Sequence, residues 1–162
     1  MSYDINIKMP NSESGCYFYP PEYYVFDNFS SFAVEIDSVL YPTSEHAYHC
    51  LKFSDKPDIA EEIRMSRSAH DALRLSQKYA NEVAPDWTDN KVAVMKQILL
   101  EKVNQHEYVM KKLLDSGDRE IVEDSWRDSF WGWGEDQKGD NKLGRLWMEI
   151  RSEMLNLGTK TN

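Results

Sequence analysis

Glycine, proline and cysteine are scarce in this chain, with 7, 6 and 2 in 162 residues, and each shortage excludes something. So few glycines and prolines rule out collagenous and low-complexity architectures. Cys16 and Cys50 stand far apart with no CxxC between them, so they read as free thiols and not as a disulfide framework. Long hydrophobic runs are missing too: stretches such as Val92 to Met95 or Ile98 to Leu100 fall far short of the ~20 residues a bilayer span needs, so no membrane association is expected. The N-terminus, Met1 to Pro10, has no apolar stretch behind a basic start, so it does not read as a secretory signal and the cytoplasm is the expected location.

Basic residues are nearly absent from the first third. Residues 1 to 62 hold eleven acids and only Lys8, Lys52 and Lys56, whereas the remaining hundred residues are close to neutral; the whole chain is at −9. A duplex-binding protein has the opposite sign, because Lys and Arg neutralising phosphates supply most of its affinity, so only a local basic pocket is left open. What the chain does have is 41% hydrophobic and 12% aromatic residues, including 5 Trp and 9 Tyr. That composition excludes global disorder and suits one domain with a buried core.

Residues 1–22, with Pro10, Pro20 and Pro21, read as an irregular N-terminal arm, and 23–157 as one compact, mainly α domain. Within it, Val34-Glu-Ile36, Asp37-Ser38 and Val39 to Tyr41 predict a small β-hairpin. Pro42-Thr-Ser-Glu45 starts a helix running to about Phe53; Pro57 opens another to Met65, and Ser68-Ala-His-Asp71 caps a third. Val92, Met95, Ile98, Leu99 and Val103 fall at helical spacing between Trp87 and Gln105, and Glu107 to Ser116 forms a further helix closed by Gly117. Residues 128–140, with Trp131, Gly132, Trp133, Gly134 and Gly139, read as loop. The last helix, from about Asn141 to Leu155, aligns Leu143, Leu146, Trp147, Ile150 and Met154.

Two stretches could carry chemistry. In the first, Glu45, Tyr48 or His49, and Lys52 follow i, i+3/i+4, i+7 and share a helix face, the ends roughly 10 Å apart along the axis. Spacing alone equally describes a solvated polar face, yet Ala47, Cys50, Leu51 and Phe53 leave little polar surface for such a helix to show. His46 and His49 are three apart, poorly placed for one metal, and no HExxH or CxxC accompanies them, so no metal site is expected. His70 and His106 lie among charged residues and read as surface. The second stretch runs from Ile121-Val-Glu123 through Trp126-Arg-Asp128 and Trp131-Gly132 to Asn141. Glycines admit a close backbone approach, amides at the start of the last helix favour anions, and Trp rings stack on bases, which suits a phosphorylated, base-bearing molecule; a structural loop stapled by Trp fits equally well.

The sequence resembles the YbiA-like, or NADAR (NAD and ADP-ribose associated), family from about Tyr24 to Leu155. The matching residues are Phe26-Asp-Asn28-Phe29-Ser30, Tyr41-Pro-Thr-Ser-Glu45-His46-Ala-Tyr48 with Lys52-Phe53, and Asp86-Trp87 before Lys91 and Val94-Met95. Further on come Leu114 to Gly117, Val122-Glu123, Asp128 with Trp131-Gly132 and Gly134, then Gly139, Asn141 and Leu143-Gly144. Several separated motifs in order make a specific signal. The resemblance implies a compact, mainly helical fold without a cofactor and an N-glycosidase that cuts a ribose-to-nitrogen bond. Two substrates follow from it: ADP-ribosylated guanine, free or in DNA, and phosphorylated ribosylamino-pyrimidine intermediates of riboflavin synthesis. A non-catalytic ADP-ribose or NAD reader is the alternative of another class, and no obligate protein partner is implied.

Carried over residue by residue, Glu45, Lys52 and Asp128 are expected to be catalytic, and Asn28, Phe29, Tyr48, Trp87, Trp131, Gly132 and Asn141 to contact substrate. Glu45 and Asp128 would divide charge stabilisation at the sugar from proton delivery to the leaving nitrogen. Lys52 would attack the anomeric carbon and hold the sugar as a Schiff base, or else serve as an ammonium anchor. The chain departs from the family at Leu75-Ser76-Gln77, where Leu-Gly-Arg is usual, at Ser38 in place of a turn glycine, and at His49, where Gln is frequent. For an ADP-ribosylated DNA partner, Lys138, Lys142 and Arg145 are the basic groups available to meet phosphates.

Overall fold

The computed structural model describes residues 15–17 and 23–158. Among these, α1 (Ser44–Leu51), α2 (Pro57–Arg64), α3 (Ala69–Lys78), α4 (Trp87–Gln105), α5 (Glu107–Asp115) and α6 (Lys142–Gly158) carry most of the chain. Strands β2 (Val34–Ile36) and β3 (Val39–Tyr41) form the antiparallel hairpin. Its turn places Asp37 and Ser38 at φ +51° and +65°, two consecutive left-handed residues as a type I′ turn requires. Serine lacks glycine's freedom there and adds strain of about 1 kcal/mol.

Helix starts obey the capping chemistry of the sequence. Thr43 Oγ1 accepts from the His46 amide at 3.2 Å, and Ser68 Oγ from the Asp71 amide at 3.1 Å. Pro57 occupies the first turn of α2, where its missing N–H has no acceptor to lose. Gly117, at φ +57°, turns the chain out of α5.

Helix α1 lies at the centre, packed against α2, α3 and α4, with every residue from Ser44 to Cys50 buried. That burial rejects the solvated-face reading of its ionisable groups. The core around it joins Phe26, Phe53, Met95, Ile98, Trp147 and Ile150, and the Trp147 indole donates to the Phe26 carbonyl at 3.0 Å. Cys50 is a buried free thiol that donates to the Ala60 carbonyl at 3.2 Å, and burial pushes its pKa up to about 12.

One group in this core is a surprise. Lys102 stands on the apolar stripe of α4 and is fully buried, its ammonium donating to Ser30 Oγ at 2.8 Å and the Asp27 carbonyl at 3.0 Å. Burial pushes its pKa down to about 7.

The irregular arm needs correction where it is described. Gly15–Tyr17 form β1, which pairs in parallel with β4 (Glu120–Val122) in the register Gly15↔Glu120, Cys16↔Ile121 and Tyr17↔Val122. Three-residue strands paired across about a hundred residues leave no local periodicity to read. The rest of that arm lies outside the described residues. Among those described, no helix is long and apolar enough to cross a membrane.

Candidate active site

A cavity of about 630 Å³ opens between α1 and two loops, a size that suits a base with its ribose. Helix α1 supplies one wall with Glu45, Tyr48 and His49, and its C-cap residue Lys52 completes the i, i+3/i+4, i+7 face read from the sequence. Asp27, Asn28 and Phe29 enter from the loop before β2, and Glu123, Ser125, Asp128 and Trp131 from the loop after β4. His70 and Leu73 of α3, Met95 of α4 and Leu143 of α6 complete the lining.

On the helical wall, Glu45 Oε1 accepts a hydrogen bond from His49 Nε2 at 2.7 Å, which fixes the carboxylate one turn away from the backbone that carries it. The Lys52 amine donates to Ser76 Oγ at 3.3 Å and lies 4.8 Å from the centre of the Tyr48 ring and 6.0 Å from that of Trp87. Burial pushes the Lys52 pKa down to about 8, against the pull of Glu45 and with help from Lys91. About a tenth of the amine is therefore neutral at pH 7, far more than at an ordinary lysine. Burial likewise raises the Tyr48 phenol out of the titratable range, so that side chain stays neutral.

The loop wall is organised by carboxylates and carbonyls. Asp128 Oδ1 accepts from the amides of Phe130 and Trp131, both at 2.8 Å, and Asp27 Oδ1 accepts from the Phe29 amide at 2.8 Å. Glu123 lines the same cavity as these acids. Burial first, then the charges of Asp27, Asp128, Glu45 and Asp124, push its pKa up to about 9, so it is a proton-bearing carboxyl at neutral pH. Asn28 passes its carbonyl to the Glu45 amide at 3.0 Å, while its Oδ1 is buried without a partner among the described residues, an unmet acceptor of the kind ligands satisfy.

Four acids around one lysine make an interior suited to a developing sugar cation and hostile to phosphate. A profile of the NADAR domain family matches residues 17–155. The chain belongs to the NADAR family. It is 34% identical to the N-glycosidase YbiA of Escherichia coli over 133 residues, 82% of each chain, and 34% identical over 145 residues to an N-glycosidase of Nostoc punctiforme, covering 87% of this chain and 93% of that one. A riboflavin biosynthesis protein of Vibrio vulnificus shares 35% identity over 95% of this chain, which spans only 42% of that longer protein. The NMR structure of E. coli YbiA superposes with a TM-score of 0.82 at 31% identity, covering 95% of this chain and 92% of that one.

Within this NADAR fold, Glu45, Lys52, Asp128, Asn28, Phe29, Tyr48 and Trp131 meet in one cavity, and three other residues expected to touch substrate stand behind it. Trp87 packs 5.0 Å from the Tyr48 ring and backs the wall without lining it. A side chain on Gly132 would meet the Glu123 carbonyl at 2.7 Å and the Asp128 carbonyl at 2.9 Å, so glycine there permits loop packing. The Asn141 amide is spent on β4, accepting from the Glu123 amide and donating to the Ile121 carbonyl, both at 2.9 Å.

The start of α6 is not an anion site either. The amides of Asn141, Lys142 and Leu143 are taken by the carbonyls of Gly132, Phe130 and Trp131. Sequence reasoning gave no role to Glu123, Asp27 or His70, which all line the cavity. His70 is exposed, as expected, yet stands at the mouth with its ring 4.8 Å from Phe29. For Glu123 the available signal was its place just after a β-branched pair, Ile121-Val122, ahead of an aromatic, glycine-rich loop.

Proposed function

We propose that this NADAR protein is an N-glycosidase, a cytoplasmic hydrolase of the bond between a ribose and a nitrogen base, whose substrate is ADP-ribosylated guanine, free or in DNA. The observation carrying this reading is the desolvated Lys52 amine sharing one cavity with the His49-held Glu45 carboxylate and the protonated Glu123 carboxyl. A reader of ADP-ribose has no use for that combination.

Each group has a task in the reaction. The Lys52 nitrogen attacks C1′, the C1′–N bond to the base breaks, and the departing nitrogen takes the proton of Glu123. Glu45 stabilises the positive charge that builds on the sugar. The glycosyl-lysine then loses a proton to the Glu123 carboxylate, which passes it to O4′ as the ring opens to a protonated Schiff base; water adds to C1′, gives a proton back to Glu123, and the open sugar leaves as the aldehyde with the amine restored. Asp128, whose Oδ1 already holds two amides, shapes the loop more than it moves protons.

The acidic interior admits base and ribose and leaves the phosphates to the mouth. A second reading, hydrolysis of phosphorylated ribosylamino-pyrimidines, is favoured by the similarity to riboflavin biosynthesis proteins of Vibrio vulnificus and maize. Incubating the protein separately with an ADP-ribosyl-guanine oligonucleotide and with the pyrimidine phosphate, then assaying released sugar, decides between them. Binding to both without release would overturn the enzyme reading. Borohydride added during turnover is expected to fix the sugar to Lys52.

A further inference from the structure

Position 76 is where the chain departs from its family's Leu-Gly-Arg pattern, and the structure puts the Ser76 side chain against Lys52. Ser76 is 4% exposed on α3, and its Oγ lies 3.3 Å from the Lys52 nitrogen. The other neighbours of that amine are the Tyr48 and Trp87 rings at 4.8 and 6.0 Å. A neutral amine has two N–H bonds and one lone pair. In the observed direction the Ser76 oxygen on α3 accepts an N–H from Lys52, and the aromatic faces of Tyr48 and Trp87 can take another, an arrangement that leaves the lone pair free as long as the Ser76 hydroxyl accepts and does not donate.

We propose that Ser76 is a positioning residue for the lysine nucleophile: its hydroxyl oxygen takes one N–H of Lys52 and so leaves the lone pair turned toward the sugar in the cavity. The inference rests on the reading of Lys52 as nucleophile. It makes Ser76 part of the active-site geometry, acting through Lys52 and not on substrate.

The charged groups around the amine fix what its removal does. Glu45 on α1 favours the ammonium and Lys91 on α4 opposes it, while His70 of α3 and Glu123 and Asp128 of the loop wall line the same cavity. An ammonium donates a stronger hydrogen bond than a neutral amine, so the Ser76 oxygen holds the charged form more tightly than the neutral one. Losing that oxygen makes the amine easier to deprotonate and yet less well aimed. A substitution that merely disturbs packing has no reason to move both in these directions.

Ser76→Ala keeps a good helix former at a buried helical position. Its expected behaviour is a kcat lower by about tenfold with KM nearly unchanged, since orientation and not binding is lost. The acid limb of the kcat profile is expected to move to lower pH by about half a unit, and borohydride trapping on Lys52 to slow in parallel. Ser76→Thr, which restores a hydroxyl, is expected to recover limb and trapping rate. Wild-type kcat, limb and trapping in folded Ser76→Ala would overturn the proposal, as would a folded Ser76→Thr that behaves like Ala; if Ser76→Thr does not fold, the Ala variant alone decides. The two levels separate cleanly. No adduct on Lys52 in the wild-type protein removes the nucleophile and this inference with it, whereas a wild-type adduct unaffected by Ser76→Ala removes only the role of Ser76.

Discussion

On the helical wall of the cavity, Glu45, Tyr48, His49 and Lys52 meet the ligand space because α1 repeats every 3.6 residues and is buried on all sides. On the loop wall, Glu123, Asp128 and Trp131 reach it only because amides and carbonyls far apart in sequence close on one another: Trp133 N onto the Glu123 carbonyl, Leu143 N onto the Trp131 carbonyl, and the Asn141 side chain onto β4. The helical wall presents its groups one by one, so single changes there are expected to touch chemistry and spare the fold. The loop wall is a connected network, in which loss of one member shifts the others.

Lys52→Arg is the sharpest test of the helical wall. A guanidinium stays protonated in proteins, so turnover is expected to fall on the order of 10³-fold with substrate still bound and no borohydride adduct formed. An anchoring lysine would instead leave Arg with substantial turnover, which a single-turnover assay distinguishes. Glu45→Gln comes next, with a loss of about 10²-fold in kcat and little change in melting temperature; unchanged turnover would take Glu45 out of the mechanism.

For the loop wall the order reverses, stability before chemistry. Asn141→Ala leaves the Glu123 amide and Ile121 carbonyl without their partner and is expected to cost about 2 to 4 kcal/mol in denaturant unfolding, with activity falling as Glu123 loses its place. A variant as stable as wild type would show that the loop holds itself without that bridge. Trp131→Ala has a smaller effect, about 1 to 3 kcal/mol of substrate binding measured by titration, if the ring stacks on the base.

The two walls also meet in the pH dependence. The proposed mechanism needs Lys52 deprotonated, with a pKa near 8, and Glu123 protonated, with a pKa near 9, so kcat/KM is expected to peak between those values and fall on both sides. Glu123 has a stability signature of its own. Its pKa is raised from 4.5 to about 9 on folding, so the folded state holds the extra proton in that window and the contribution to stability is lost as pH rises through it. Lys102 works in the opposite direction, its pKa lowered from 10.5 to about 7, so the clean measurement is the melting-temperature difference between Glu123→Gln and wild type. That difference is expected to shift in favour of the variant from pH 5 to pH 9, and a constant difference would show that Glu123 is ionised in the fold.

Much of this was legible because it is local. Helix caps at Thr43 and Ser68, the apolar stripe of α4 and the face shared by Glu45 and Lys52 each follow from residues a few positions apart, whose spacing maps directly onto a helix. Motif matching added Asn28 and Asp128 to the same cavity but could not say that Asn141 turns its amide onto β4 or that Gly132 serves packing. The buried Lys102 was hidden for the opposite reason, since a lysine in a helix of mixed composition reads as a solvated charge until the Asp27 carbonyl and Ser30 hydroxyl arrive from 70 residues away.

By itself, then, the sequence determined the helices, the hairpin and the helix face that brings Glu45 and Lys52 to one cavity, because these depend on short-range periodicity and side-chain type. Tertiary structure alone decided the parallel pairing of β1 with β4, the proton held on Glu123 and the contact of Ser76 with Lys52. Strand register between distant segments, the desolvation of a carboxyl and the approach of two helices are all set by what packs beside a residue, and that is not written at its own position in the chain.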